Sequence, residues 1–334
     1  MHDTNPIFRT PKTRRLVSAW MVRSEIEHAI ARVTEFQEVF DQVIFVCGNV
    51  QADGTMPEAW PVLERKELAS RLADLGISTL NLYGEKWEGG FQEAAGKPGV
   101  MESAIRNMVA ECEQTGSDGV GIDLEALPAS DRFTYTEFIA QLSRELHAHG
   151  KMLSICTAAP SRARQRDSGV GFLDTSVVGF YADHIRPMNY DFFWPFPNCP
   201  GVGPTSTVLW ARDRMQGLVR EVPRHKVIMG LPTYSLDWDV NQIENSQQIY
   251  DYEWIAAREK ESGRERSWCS GWDVNLIRYT DAHDHAHLLW VSDARSTKSH
   301  LETADDLDVA GVCFWCLRGD DPLIWETLRE HFRR

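Results

Sequence analysis

The chain has 334 residues, of which 43% are hydrophobic and 25% are charged, a composition typical of a folded globular protein rather than a disordered one. Its formal net charge of -14 at pH 7 argues against nucleic-acid binding and against docking on an anionic membrane, since both need an excess of Lys and Arg. The length allows two domains, or one large α/β barrel with insertions.

The N-terminal 15 residues are polar and basic and lack the apolar core of a signal peptide. No apolar run is long enough to span a bilayer. The seven cysteines are scattered without the spacing of zinc ligands, which suits a reducing compartment. We therefore expect a protein that is cytoplasmic as written, or an exported form with its signal removed.

Short apolar runs recur along the chain, and most are followed by a stretch with helical periodicity. The runs predicted to be strands are residues 16–22, 42–47, 78–83, 119–124, 151–158, 184–190, 226–231 and 310–317. Amphipathic stretches between them include residues 25–40, 61–75, 101–115 and 134–149. Eight strands alternating with helices predict an α/β fold, a closed parallel TIM barrel.

The connection after the seventh predicted strand is longer than a barrel requires. Within residues 232–309, residues 249–259 have the pattern of a helix, and residues 274–280 and 287–291 that of a strand pair around a polar turn. We predict a single TIM-barrel domain over residues 1–334 that carries a small α+β insertion at 232–309.

The most informative segment is DGVGIDLE at residues 118–125. Side chains alternate along a barrel strand, so its three apolar residues face the helices while Gly121, Asp123 and Glu125 face the interior. Two acids therefore project to one side at the carboxyl end of a strand, where TIM barrels place their chemistry. Such acids could instead cap the strand or pair with a buried Arg, but the apolar strand and the neighbouring glycine favour catalysis.

Neighbouring carboxylates push one pKa upwards, which helps to keep one carboxyl protonated near neutral pH. A protonated carboxyl is the group that a departing glycosidic oxygen needs. The pair Asp123 and Glu125 thus predicts glycoside hydrolysis.

This segment resembles the DxxDxDxE signature of glycoside hydrolase family 18, the chitinase-like family. Four further segments are similar to that family's sixth strand, seventh strand, end of the insertion, and eighth strand with its loop: MNYD at 188–191, KVIMGLPTY at 226–234, WVSDARS at 290–296 and FWCLRGDDP at 314–322. The resemblance thus extends through most of the chain. The branch that it resembles most is that of the spore-cortex-lytic and peptidoglycan N-acetylglucosaminidases.

The resemblance implies substrate-assisted, retaining hydrolysis of β-linked N-acetylglucosamine polymers. Glu125 would act as acid and then as base, and Asp123 would orient the acetamido group of the substrate. Tyr190 would donate a hydrogen bond to the acetamido oxygen, Asp191 would hold the sugar, and Trp315 would form a flat floor beneath it. Met188 is a further candidate for substrate binding, and weaker candidates for sugar contacts, for which packing is at least as good an interpretation, are Trp194, Tyr234 and Trp238.

The chain departs from the family pattern at Gly121, where the family has its middle Asp. In chitinases that Asp shares a proton with the residue matching Asp123. We therefore expect a changed pH profile rather than inactivity, because Glu125, Asp123 and Tyr190 remain.

No cofactor and no metal are expected. The segment HDHAH at residues 283–287 places three histidines on one strand face, but it lies in the predicted polar turn, where solvated residues are usual. The expected partner is a glycan that contains N-acetylglucosamine, with no nucleic acid and no membrane, and the sequence does not predict the oligomeric state.

Three alternatives remain open at this stage. The enzyme could be a chitinase, or an endo-β-N-acetylglucosaminidase acting on N-glycans. The alternative of another class is a non-catalytic, chitinase-like sugar-binding protein. Such proteins usually lack the catalytic acid, so the presence of Glu125 favours an enzyme.

Overall fold

The computed structural model describes residues 15–57, 59–125, 127–158, 171–195, 201–263 and 265–332. The strands are β1 Leu16–Met21, β2 Gln42–Val50, β3 Ser78–Trp87, β4 Gly119–Ile122, β5 Met152–Thr157, β6 His184–Pro187, β7 Ile228–Pro232, β8 Ser235–Asp239, β9 Gln247–Ile249, β10 Ser267–Cys269, β11 Val274–Thr280, β12 Ala286–Val291 and β13 Gly311–Trp315.

The α-helices that accompany these strands are α1 Ile26–Glu35, α2 Val62–Asp74, α3 Phe91–Gly96, α4 Val100–Thr115, α5 Arg132–Ala148, α6 Thr175–Tyr181, α7 Val208–Leu218, α8 Tyr252–Ser262, α9 Ala294–Asp306 and α10 Leu323–Phe332. None of the helices in the described ranges is both long and apolar enough to cross a membrane.

Eight of the strands form one parallel sheet in the order β6-β5-β4-β3-β2-β1-β13-β7. Its two edge strands approach each other through the parallel bridges Ile185–Val227 and Met188–Gly230. The sheet is therefore a nearly closed barrel surrounded by helices, which confirms the predicted TIM barrel. Each predicted strand overlaps an observed one, although β4 ends at Ile122 and β6 at Pro187, before the residues expected to carry the chemistry.

The side chains along β4 alternate between the surrounding helices and the barrel interior, as predicted. Val120, Ile122 and Leu124 belong to the large apolar core between the barrel and its helices. On the opposite side of the strand, a Cβ added to Gly121 would lie 2.6 Å from Cδ1 of Leu82, a residue of the interior cluster. Position 121 therefore faces the inside of the barrel.

A buried cation crosses the barrel interior below this level. Arg186 is completely buried on β6, and its guanidinium donates to Ser18 Oγ and Ser154 Oγ, both at 2.8 Å, and to Gln42 Oε1. These partners lie on β1, β5 and β2, so one side chain links four strands. Because a buried donor without an acceptor is costly, this polar layer stabilises the barrel only as a complete set.

The second sheet is antiparallel in the order β10-β11-β12-β8-β9, and all of its strands lie between β7 and β13 in the chain. The predicted strand pair is confirmed as β11 and β12, and the predicted helix corresponds to α8. In contrast, α9 contributes Leu301 and Ala304 to the core between barrel and helices. We propose that residues 232–309 form an insertion in a single domain, with α9 returning the chain to the helical shell.

The close approach of β1 and β13 is a testable feature of the barrel. A Cβ on Gly311 would lie 1.9 Å from the backbone oxygen of Leu16, its partner in the parallel ladder. The substitution Gly311→Ala must therefore push two strands apart, and we expect it to lower the free energy of unfolding by about 3 kcal/mol in chemical denaturation.

Gly96→Ala is the matched control, since no atom lies within 4 Å of its added Cβ and its backbone is not left-handed. We expect it to change the free energy of unfolding by less than about 1 kcal/mol. Equal stability of the two variants would contradict the strand contact.

Candidate active site

The two acids of the sequence motif lie just beyond β4, at the carboxyl end of the barrel. Asp123 is 8% exposed, and its backbone N–H donates to Tyr83 O at 3.1 Å, which continues the pairing with β3. Glu125, two residues further on, is exposed. The Asp123 carboxylate is thus withdrawn from solvent while that of Glu125 is open to it, so the two can take different roles in a reaction.

The pKa of Cys156 on β5 indicates which part of the barrel both carboxylates face. Burial raises the pKa of this thiol, and the negative charges of Asp123 and Glu125 raise it further. Cys156 belongs to the interior cluster of the barrel. Both acids therefore act on the interior beside β5, as expected for side chains on the inner face of β4.

Tyr190 reaches the same space from the segment after β6. It is 9% exposed; burial raises its pKa, and the charge of Asp123 raises the pKa further. A phenol with a raised pKa stays protonated at neutral pH and can donate a hydrogen bond. The structure thus brings Tyr190 and Asp123 together from two strands that are separated in the sheet by β5.

Asp191 is held by a closed ring of hydrogen bonds. Its backbone N–H donates to Thr205 Oγ1 at 3.0 Å, Thr205 Oγ1 donates to the Tyr234 hydroxyl at 2.8 Å, and that hydroxyl donates to Asp191 Oδ1. A fourth contact comes from the insertion, where Gln248 Nε2 lies 3.4 Å from Asp191 Oδ1. The left-handed backbone of Asp191, with φ of 57°, turns its side chain into this ring.

The environment of the Asp191 carboxylate is less polar than the exposure of the whole residue suggests. The residue as a whole is exposed, yet burial of the carboxyl raises its pKa, while the hydrogen bond from Tyr234 lowers it. The ring withdraws the carboxylate and leaves other atoms of the residue in solvent. The orientation of this carboxylate is therefore fixed by its hydrogen bonds.

The sequence left Tyr234 open between a sugar contact and packing, and the structure favours a place behind Asp191. Tyr234 is 1% exposed, and its hydroxyl is engaged by Asp191 and Thr205. Its hydroxyl orients the Asp191 carboxylate through the hydrogen bond between them. Thr205 and Gln248 were missed because neither belongs to a recognisable motif, and only the fold brings them to Asp191.

The tryptophans also separate by position. Trp315, at the end of β13, is partly exposed and packs edge-on against Trp20 with ring centroids 5.8 Å apart. Trp194 and Met188 are partly exposed as well. Trp238 is completely buried in the insertion and donates from Nε1 to Gly203 O at 2.7 Å, so its expected sugar contact is corrected to a packing role.

The departure from the family pattern has a structural counterpart. Gly121 pairs in register with Leu82 of β3, and the Leu82 side chain occupies the space that a side chain at 121 would enter. The charge of Asp123 acts instead on Cys156, Tyr190 and Tyr135. Tyr135 is fully buried on α5, and its hydroxyl has no hydrogen-bond partner among the described residues.

The histidines at positions 283–287 lie in the insertion. His285 Nδ1 is 2.8 Å from Asp239 Oδ2, and His287 Nδ1 is 3.1 Å from Asp237 Oδ2. His285 and His287 are thus both paired with aspartates. Throughout the described part of the chain, His, Cys, Asp and Glu side chains form no group of three or more that could hold a metal ion.

The ring around Asp191 predicts the effect of removing one hydroxyl. In Tyr234→Phe the carboxylate loses a donor that lowers its pKa, so we expect the pKa of Asp191 to rise. Protonation of Asp191 would then persist to higher pH, which a carbon-detected NMR titration with labelled Asp measures directly.

Tyr279→Phe is the control, because the Tyr279 hydroxyl donates to Asp237 at 2.6 Å instead. It should leave the titration of Asp191 unchanged. If Tyr234→Phe also left it unchanged, the ring of hydrogen bonds would be wrong.

Comparison with known proteins places this arrangement in a family. Residues 59–320 match the model of glycosyl hydrolases family 18. Among curated proteins, the chain is 28% identical over 216 residues to the uncharacterized glycosylase YvbX of Bacillus subtilis, covering 64% of this chain and 60% of that protein. It is 24% identical over 238 residues to the cortical fragment-lytic enzyme of Bacillus subtilis, covering 70% of this chain and 54% of that protein. The chain thus spans little more than half the length of these relatives.

Solved structures show the same fold at lower identity. The chitinase of Chromobacterium violaceum superposes with a TM-score of 0.84 at 22% identity, covering 95% of this chain and 98% of that one. The spore cortex-lytic enzyme SleL of Bacillus cereus superposes with a TM-score of 0.85 at 18% identity, covering 95% and 74%. With well over half of its residues matched by the family model, and with the family's barrel around the motif, the chain belongs to glycosyl hydrolases family 18.

Proposed function

We propose that this chain is a retaining glycoside hydrolase that cleaves β-linked N-acetylglucosamine polymers, with peptidoglycan as the substrate and an oxazolinium ion as the intermediate. The observation that carries the proposal is the convergence of a buried Asp123, a buried Tyr190 and an exposed Glu125 at the carboxyl end of the barrel. Family membership supports glycoside hydrolysis.

The first step needs an acid that can reach the glycosidic oxygen. Glu125 is exposed at the rim and would give its proton to that oxygen as the bond to the anomeric carbon breaks. The acetamido oxygen of the same sugar would attack the anomeric carbon from the opposite face, which forms the oxazolinium ring. The attacking atom belongs to the substrate, so no nucleophilic side chain is required.

Asp123 and Tyr190 would act on the acetamido group during this step. Asp123 would accept its N–H and offset the positive charge that develops on the ring, while the protonated Tyr190 hydroxyl would donate to its oxygen. Both side chains are at most 9% exposed. Electrostatic interactions are stronger in such a site than in water, because little solvent screens them.

In the second step the proton returns. Glu125, now a carboxylate, would take a proton from water, and the water oxygen would attack the anomeric carbon on the face that the leaving group vacated. The oxazolinium ring opens and the acetamido group is restored. Two successive inversions give net retention of the anomeric configuration.

The remaining contacts would hold the sugar in place. Trp315 offers a partly exposed indole face at the end of β13, on which the apolar C–H groups of a sugar ring can rest. Asp191 would bind the sugar with a carboxylate fixed by Tyr234 and Thr205. Met188 and Trp194 are partly exposed and remain candidates for the edges of the site.

The names of the relatives favour peptidoglycan over the alternatives. Curated relatives of this chain include cortical fragment-lytic enzymes of three Bacillus species, and a solved neighbour is a spore cortex-lytic enzyme. A wall or spore glycan follows as the proposed substrate, and deposition at a spore or cell wall as the proposed place of action. A chitinase is the second candidate, since a chitinase structure superposes over almost the whole chain.

Replacing the proposed acid tests the catalytic role. Glu125→Gln keeps the shape of the side chain but removes its titratable proton, so we expect at least a 10³-fold loss of turnover on peptidoglycan with sugar binding retained. Product release followed by mass spectrometry measures turnover, and calorimetry with an oligosaccharide measures binding. Glu137→Gln, on the exposed face of α5, is the control and should keep full activity.

The proposed intermediate predicts a class of inhibitor. A thiazoline that mimics the oxazolinium ring should bind more tightly than the substrate and inhibit competitively, because the site is complementary to that ring. Inhibition constants at several pH values, compared with those of an N-acetylglucosamine control, provide the measurement. Full activity at saturating thiazoline would contradict substrate assistance.

A further inference from the structure

We propose that the groove beside Trp315 binds the sugar next to the one that is cleaved, and that Arg318 selects an acidic amino sugar there by pairing with its carboxylate. This inference rests on the proposed function and extends it. Arg318 would be the residue by which the site distinguishes a glycan with muramic-type residues from an uncharged polymer of N-acetylglucosamine.

The groove has a volume of about 830 Å³ and lies where three parts of the chain meet. One wall comes from Glu25 and α1, the second from β9 and the start of α8, and the third from the loop after β13. The barrel and the insertion therefore both contribute to it. A volume of this size accommodates a sugar ring with a substituent.

Tyr250 joins the groove to the proposed active site. It packs in the same apolar cluster as Trp315, and its ring stacks on Tyr234 with centroids 5.0 Å apart and planes at 26°. Its hydroxyl lies 3.3 Å from Gln248 Oε1, whose amide nitrogen contacts Asp191. A glycan resting on Trp315 would therefore continue across Tyr250 into the groove.

Arg318 is held in the groove by two contacts. Its guanidinium carbon lies 4.7 Å above the ring of Tyr250, and its Nε is 3.3 Å from Glu25 Oε1. The side chain is 47% exposed, and its terminal nitrogens have no hydrogen-bond acceptor among the residues that the structure describes. A planar guanidinium fixed in this way offers paired donors that match a carboxylate.

Other charges in the groove are already engaged. Asp320 is buried and paired with His28 at 2.9 Å and Arg32 at 3.0 Å. Asp251 accepts the Trp254 N–H at the start of α8, and Glu253 is exposed to solvent, which screens its charge. Arg318 is therefore the cation in this groove that remains available to a ligand.

The negative net charge of the whole chain makes the position of Arg318 important for binding an anionic ligand. A formal charge of -14 disfavours the approach of an anionic glycan in general, so such a glycan needs a local positive contact. A polymer of N-acetylglucosamine alone has no carboxylate to offer. An N-acetylmuramic acid residue that bears no stem peptide carries a free carboxylate on its lactyl group.

The test compares two glycans of equal length on an inactive chain. In the Glu125→Gln background, calorimetry would measure binding of a peptidoglycan fragment that alternates N-acetylglucosamine with N-acetylmuramic acid, and of an oligomer of N-acetylglucosamine. We expect Arg318→Met to weaken binding of the acidic fragment about tenfold and that of the neutral oligomer less than twofold. Arg318→Lys keeps the positive charge without the paired donors of the guanidinium, so it should weaken binding of the acidic fragment less than Arg318→Met does.

Arg329 offers a closely matched control. It is also 47% exposed, lies 3.6 Å from a glutamate and stacks over Phe36 at 5.8 Å, but it belongs to α10, outside the groove. Arg329→Met should leave both affinities unchanged. Thermal unfolding of each variant would show that the fold is retained.

Three outcomes would overturn the inference. If Arg318→Met weakened binding of both glycans equally, Arg318 would only support Tyr250. If it weakened binding of neither, the groove would not take part in binding. If the parent chain did not prefer the acidic fragment, there would be no selectivity for Arg318 to explain. Because these are binding measurements, they are independent of turnover. A parent chain that binds with the expected selectivity but hydrolyses neither glycan would instead contradict the proposed function.

Discussion

The structure depends on one constraint, the parallel pairing of eight strands around a nearly closed barrel. Parallel strands end at the same face, so the residues at the carboxyl ends of β4, β6 and β13 meet although they are far apart in the chain. The alternation within each strand then decides which side chains enter the common space. Asp123 and Tyr190 share that space for this reason, and a shift of one residue in the register of either strand would separate them.

The interior beside these acids has no room for a second aspartate at position 121. Leu82 fills the space at Gly121, and the groups that sense the charge of Asp123 include a thiol and two phenols, Cys156, Tyr135 and Tyr190. A side chain at position 121 would therefore require Leu82, its partner in register on β3, to move.

The insertion contributes to the site as well as to the surface. Gln248 contacts Asp191, and Tyr250 stacks on the tyrosine that orients it. Removing the insertion would therefore release Asp191 on one side and open the groove beside Trp315. This interdependence explains why a small antiparallel sheet that pairs with none of the barrel strands still bears on the chemistry.

The sequence by itself determined the barrel, the inner position of Asp123 and the pairing of β11 with β12, because hydrophobic periodicity and side-chain alternation are local properties of the chain. It did not determine the ring around Asp191 or the burial of Trp238. Thr205, Tyr234 and Gln248 meet only after the loop behind β6, the end of β7 and the insertion have folded together. Contacts between such distant segments have no periodic pattern, so only the tertiary structure decided them.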